Sequence, residues 1–251
     1  MKRLLSLLAL ALPLAAVAEY PNPTGSDAAR TFPFSMIGQL TFFSGNGSFI
    51  GSGTVVQPRG VLTAAHTLYD PGVGWSTDLI FKRGHYDGSD LSIRSPRRLY
   101  VLAGYQDNAG IYGPDSVRTF ARDTGGMFFM KKVAGGGYLG WSTDLTLLTG
   151  KTFKLALGYG ASTHSGEELL SVNAVTPFAS TYGSFYESEG LGIEGGMSGG
   201  PVICTLPDGS PSIGGVVVSS SAGFPVSGGI RIVNGGVSSF ILNYLGEPTA
   251  P

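Results

Sequence analysis

One serine, Ser198, sits among four glycines in Gly195-Gly196-Met197-Ser198-Gly199-Gly200, just before the apolar run Pro201-Val202-Ile203-Cys204. Such a stretch reads as a tight turn entering a strand, because glycine accepts positive φ and lets other groups approach the backbone closely. A nucleophilic serine needs both properties: an exposed Oγ, and N–H groups of its own turn free to hold an oxyanion. The plainer alternative is an ordinary glycine-rich turn in a chain with 40 glycines among 251 residues. A serine nucleophile also needs a base, and the only histidines are His66, His85 and His164, all upstream of Ser198.

Chain order sorts the possible chemistries. Gly-x-Ser-x-Gly also fits the nucleophile elbow of α/β-hydrolases, but there the histidine follows the serine, so that reading fails. The subtilisin order needs an aspartate ahead of the histidine, and only Asp27 lies upstream of His66. His, then Asp, then Ser remains, which is the chymotrypsin-like order.

Val61-Leu62-Thr63-Ala64-Ala65-His66 resembles the Thr-Ala-Ala-His motif of trypsin/chymotrypsin-like serine peptidases, and Gly196 to Pro201 resembles their Gly-Asp-Ser-Gly-Gly-Pro box. Gly51-Ser52-Gly53-Thr54-Val55-Val56 is similar to the strand that precedes the histidine loop. The resemblance runs from about Phe32 to the C-terminal segment. It implies an all-β fold of two six-stranded antiparallel β-barrels with a short C-terminal helix. It also implies acyl transfer on protein or peptide substrates without a cofactor. Ser198 would attack, His66 would move the proton, and the N–H groups of Gly196 and Ser198 would hold the oxyanion.

A base histidine needs a carboxylate on its other nitrogen. Asp144 opens Asp144-Leu145-Thr146-Leu147-Leu148, superficially like the Asp-Ile-Ala-Leu-Leu of that family, but it stands only 54 residues before Ser198. That interval would have to close one barrel, cross over and start the second. Asp123 stands 75 residues before Ser198 and 57 after His66. It precedes a strand-like run and Gly136-Gly137-Tyr138-Leu139-Gly140-Trp141, which resembles bacterial V8-like (glutamyl-endopeptidase-type) proteases. Asp123 is therefore preferred to Asp144.

Met1 to Ala18 reads as a secretory signal: Lys2 and Arg3, an apolar Leu4 to Leu14, then the small-residue site Ala16-Val17-Ala18. The apolar run is shorter than the roughly 20 residues a membrane span needs. Losing Lys2 and Arg3 moves the formal charge from −1 to −3, and no basic run is present, so no nucleic-acid partner is expected. A single cysteine, Cys204, permits no intramolecular disulfide and reads as a small buried hydrophobe. A chain of this length can bury roughly 70% of its unfolded surface without bridges. A bacterial, secreted or periplasmic monomer follows, free of the membrane once the signal is removed.

Residues 19–30 carry Pro21, Pro23 and Gly25 and read as a flexible leader or propeptide. Strand-like runs separated by Gly, Asn, Asp and Pro then recur, among them 35–43, 48–56, 61–66, 79–82, 98–102 and 127–131, and later 155–159, 169–176, 201–206, 213–219 and 229–233. Residues 31–140 form the expected N-terminal barrel with His66 and Asp123, and 141–251 the C-terminal barrel with Ser198. Val237, Phe240, Ile241 and Tyr244 share one face of an expected helix.

Departures from the family pattern bear on activation and specificity. Met197 replaces the aspartate that receives the new N-terminal ammonium of trypsin-like zymogens. Gly192, six before the serine, replaces the acid that trypsin presents to a basic P1 residue, and Gly214 to Ser221 lacks the histidine of glutamyl endopeptidases. A small or apolar P1 residue is expected. His85 and His164 read as solvated loop residues. No metal-ligand spacing appears, and Asp70, Asp78, Asp87 and Asp90 are too scattered to argue for or against a calcium site. The rival reading is a catalytically inactive binding or adhesion protein, favoured by Met197 and by an unusual insertion near 103–115; another serine hydrolase is a third.

Overall fold

The structure is a computed structural model that describes residues 20–174, 176–221 and 226–246. The signal segment 1–18 lies outside the described residues.

Two antiparallel sheets carry the fold. The N-terminal sheet has the order Ser92–Arg94, Thr77–Arg83, Ile37–Ser44, Gly47–Gln57, Gly60–Thr63, Gly125–Phe128, Arg98–Val101. The C-terminal sheet has the order Asn22–Pro23, Leu170–Asn173, Lys154–Gly158, Pro201–Thr205, Pro211–Ser221, Ser227–Ile232, Phe185–Glu189, Ala179–Tyr182. The all-β architecture with a C-terminal helix agrees with the sequence reading. Among the described residues the sheets hold seven and eight strands, not six each, because short edge pairings such as 22–23, 92–94 and 179–182 join them. Segments of two to four residues carry too little period-2 pattern to be read in advance.

Alternation of buried side chains along these strands builds two cores. Ile37, Leu40, Val55, Val61, Leu62, Phe81 and Met127 fill the first. Ala156, Val172, Met197, Val202, Cys204, Val217 and Ile230 fill the second. Burial pushes the Cys204 thiol up to about 11, as befits an inert packing residue. The chain passes between sheets near Trp141, where Ile213 N–H donates to Gly140 O (2.9 Å) and Ser142 N–H to Ile213 O (3.0 Å).

The leader is not a free segment. Asn22 and Pro23 pair with Ser171 and Leu170 on the edge of the C-terminal sheet, Thr24 N–H donates to Leu169 O (2.9 Å), and Ala29 of the helix Ser26–Ala29 is fully buried. Its few apolar atoms gave no sign of this, since the attachment is made mostly by backbone. The other end of the chain crosses the opposite way. Asn234 caps the helix Gly235–Phe240, its Oδ1 accepting from Gly236 N (3.1 Å) and Val237 N (3.2 Å), and a π-helical turn Ile241–Leu245 follows. Val237, Phe240, Ile241 and Leu245 bury into the first core, so this helix packs on the N-terminal sheet although it was grouped with the C-terminal barrel. Tyr244, placed on the same face, is half exposed and stacks on Tyr100.

The 103–115 stretch is the helix Tyr105–Tyr112, followed by Val117–Phe120, whose cap Ser116 accepts from Thr119 N (3.2 Å). Only Tyr105 and Ala109 of the first helix are buried, too thin a stripe to show as periodicity.

Candidate active site

His66 sits on a 3-10 turn, Ala65–Thr67, directly after the strand Gly60–Thr63. That strand pairs with Gly125–Phe128 in a register that sets Gly125 opposite Thr63. The residues just before Gly125 and just after Thr63 therefore leave the sheet side by side, which brings Asp123 to His66. A Cβ on Gly125 would lie 2.9 Å from Ala64 O and from Leu68 Cδ1, so only glycine allows this approach.

Asp123 is 1% exposed and grips His66 twice. His66 N–H donates to Asp123 Oδ1 (3.0 Å), and His66 Nδ1 lies 2.6 Å from Asp123 Oδ2. The imidazole is half-buried. Burial alone would push its pKa down, but the charge and hydrogen bond of Asp123, with Asp115 adding, bring it above the ordinary histidine value. Asp144 is elsewhere: it is exposed, and its Oδ1 accepts from Thr146 N (2.9 Å) and Thr146 Oγ1 (2.7 Å) at the start of the helix Thr146–Thr149. These bonds hold its carboxyl below the usual range.

The Ser198 turn has every carbonyl tied. Gly195 O accepts from Ala161 N (2.7 Å), Gly196 O from Ser52 Oγ (2.8 Å), Met197 O from Gly200 N (2.9 Å) and Ser198 O from Ser52 N (2.7 Å). In a trans peptide the C=O and N–H point in opposite directions. With Gly195 O and Met197 O turned into the protein, the N–H groups of Gly196 and Ser198 face the other way, and neither has an acceptor among the described residues. Gly196 adopts φ 97°, and a Cβ there would lie 2.4 Å from Tyr159 O. Met197 is wholly buried in the second core, so the turn is anchored by packing where an ion pair was the family expectation.

His66, Gly196 and Ser198 line one cavity of about 490 Å³ between the sheets. No hydrogen bond joins Ser198 Oγ to His66 Nε2, and Ser198 Oγ has no partner among the described residues. Phe42, Phe49, Ile50, Phe120 and Val218 give the cavity an apolar wall, Ser219 and Ser220 a polar edge, and among the described residues Asp70 and Asp115 are its only acidic groups. Gly192 is buried and brings no charge.

Two of the histidine readings need correction. His85 is not solvated: it is 1% exposed, with Nδ1 2.7 Å from Asp90 Oδ1 and Nε2 2.9 Å from Glu167 Oε2, joining the two halves. Its polar sequence neighbours concealed a partner 82 residues away. His164 is half exposed and pairs with buried Glu194 (3.1 Å), whose other oxygen accepts from Thr163. Among the described residues no three His, Cys, Asp or Glu side chains converge as a metal site. Ser52, which binds the Ser198 turn from the first sheet, was not singled out in the sequence; its place in the strand that precedes the histidine motif was the available signal.

No protein-family model and no curated protein sequence matches the chain. Solved structures do. A Glu endopeptidase in complex with MPD superposes with TM-score 0.69 at 18% identity, over 92% of this chain and 98% of that one. A thermostable serine protease AL20 from an extremophilic microorganism gives 0.66 at 17% identity, over 86% and 96%. The protease Anisep from Arthrobacter nicotinovorans gives 0.65 at 18% identity, over 90% and 97%. At such identities the likeness is one of fold: the chain has the chymotrypsin-like fold of bacterial serine proteases.

Proposed function

We propose that the protein is a secreted serine endopeptidase acting through His66, Asp123 and Ser198. The observation that carries this reading is the buried two-point grip of Asp123 on His66, in one cavity with Ser198. Ser198 Oγ attacks the peptide carbonyl while His66 Nε2 takes its proton and returns it to the leaving amine. Asp123 fixes the tautomer and favours the imidazolium as it forms. The N–H groups of Gly196 and Ser198 take the developing oxyanion. Water then enters through the same histidine and releases the acyl group. Substrates with a small or apolar P1 residue fit the apolar wall of Phe42, Phe49, Ile50, Phe120 and Val218; a peptide-library profile dominated by Arg, Lys or Glu at P1 would sink that assignment.

The test is labelling of the mature chain with a fluorophosphonate probe, located by mass spectrometry. Labelling at Ser198, lost in His66→Ala, is expected. A folded wild-type chain that takes no label overturns the enzyme reading in favour of a binding protein.

A further inference from the structure

Beside the active-site cavity, but sharing none of its lining residues, lies a larger cavity of about 950 Å³. It forms where the helices Tyr105–Tyr112 and Val117–Phe120 of the first half meet residues 182–184 and the end of the strand Ser227–Ile232 of the second. Arg118, Arg122 and Arg231 line it, and no acidic side chain does. Three positive charges thus converge in a chain whose formal net charge is −1.

None of the three has a carboxylate partner among the described residues. Arg231 is 2% exposed; its terminal nitrogens donate to Ile232 O and to Asn234 Oδ1 (3.3 Å), both neutral, and its buried Nε donates to nothing. Arg118 lies over the Tyr112 ring at 4.4 Å and 5.8 Å from that of Tyr182, which holds the guanidinium flat without neutralising it. Arg122 makes no side-chain hydrogen bond to a described residue. Burial, then the charge of Arg122, push Arg231 down to about 10 against the pull of Asp123, so it stays charged at neutral pH. A buried charge without a counter-ion is costly. Paired solvation explains an exposed arginine, but not this one.

We propose that this cavity is a binding site for a phosphate- or sulfate-type oxyanion. Planar guanidinium forks match such oxygens two at a time, and a dianion offsets more of a triple positive charge than a carboxylate does. Ser184 Oγ accepts from Asn234 Nδ2 (3.1 Å) and keeps its own O–H for a ligand. The oxyanion is either a free ion or the charged head of a larger ester. The site is independent of whether Ser198 is a nucleophile.

The test titrates the full mature chain with sodium phosphate, sodium sulfate and glycerol 3-phosphate at ionic strength held constant with sodium chloride, read by calorimetry and by the unfolding midpoint. Saturable one-to-one binding with Kd below about 1 mM and a raised midpoint are expected. Arg118→Ala combined with Arg122→Ala, both at exposed positions, should weaken binding at least tenfold. Arg231→Met should abolish it while leaving the ligand-free midpoint equal or higher, since an apolar isostere replaces an uncompensated charge. Equal affinity for phosphate and glycerol 3-phosphate identifies a free ion; tighter binding of the ester identifies a head group. No saturation up to about 20 mM, or unchanged binding in the double variant, overturns the proposal.

Discussion

Asp123 holds His66 at both its backbone and its ring, and the two oxygens of one carboxylate do separate tasks. Oδ1 fixes where the turn leaves the strand, and Oδ2 fixes how the imidazole stands on it. Asp123→Asn should lower kcat by roughly 10³ to 10⁴, because the amide stabilises the wrong tautomer. Asp144→Asn should leave kcat within about twofold, since its carboxylate serves only Thr146. Steady-state ester or peptide hydrolysis by the two variants decides between them.

The pH profile has a definite sign. His66 acts as a base only when neutral, and its pKa is raised by Asp123 and, less strongly, by Asp115. Activity should therefore fall away as pH drops through a value above the ordinary histidine range. Asp115→Asn should move that acid limb to lower pH without removing the activity. An unmoved or upward-shifted limb in the kcat/KM profile contradicts the assignment.

Among the described residues, Ser52 ties the Ser198 turn to the first sheet through its side chain. Its Oγ donates to Gly196 O and accepts from Tyr159 N (2.8 Å each), while its carbonyl accepts from Thr63 Oγ1 (2.7 Å). Ser52→Ala leaves a buried acceptor and a buried donor unpaired, a loss of about 1–3 kcal/mol. Because the freed Gly196–Met197 peptide lies between the two oxyanion donors, kcat should fall by about tenfold or more with KM little changed. Chemical denaturation and steady-state kinetics on the same variant test both effects.

Met197→Asp restores the acid of the family box but places it in the second core, among buried apolar side chains. The substitution should destabilise by about 3 kcal/mol or more. An aspartate variant as stable as the wild type would show that the turn can accept an ion pair after all.

Processing near Arg30 should not be needed for activity, because Met197 anchors the turn without a liberated N-terminus. A chain starting at Thr31 loses the pairing of Asn22 and Pro23 and the buried Ala29. Its unfolding midpoint should fall by roughly 5 °C. Fluorophosphonate labelling of the shorter form alone would instead identify residues 19–30 as an inhibitory leader.

What was legible in the sequence was whatever depends on local pattern. The long strands announced themselves through alternation, the Ser198 turn through its glycines, and the capped C-terminal helix through its apolar face. Asp123 was legible only through spacing and resemblance, since a lone aspartate carries no local mark; the pairing of Gly125 with Thr63 is what gives it meaning. His85 and Glu194 were misread or missed for the same reason: Glu167, which joins His85 to the other half, lies 82 residues from it, and His164 lies 30 residues from Glu194. The arginine cavity was invisible because Arg118, Arg122 and Arg231 converge only after both halves have folded.

Residues 22–23 extend the C-terminal sheet, while the helix Gly235–Phe240 with its π-helical turn covers the N-terminal one. The core of the N-terminal sheet is closed by Val237, Phe240, Ile241 and Leu245, so its packing depends on contacts distant in sequence. Assembly of that kind is slow. The same arrangement works in reverse once the protein is folded: prising the halves apart at the cleft also means detaching residues 22–23 from one sheet and 235–245 from the other.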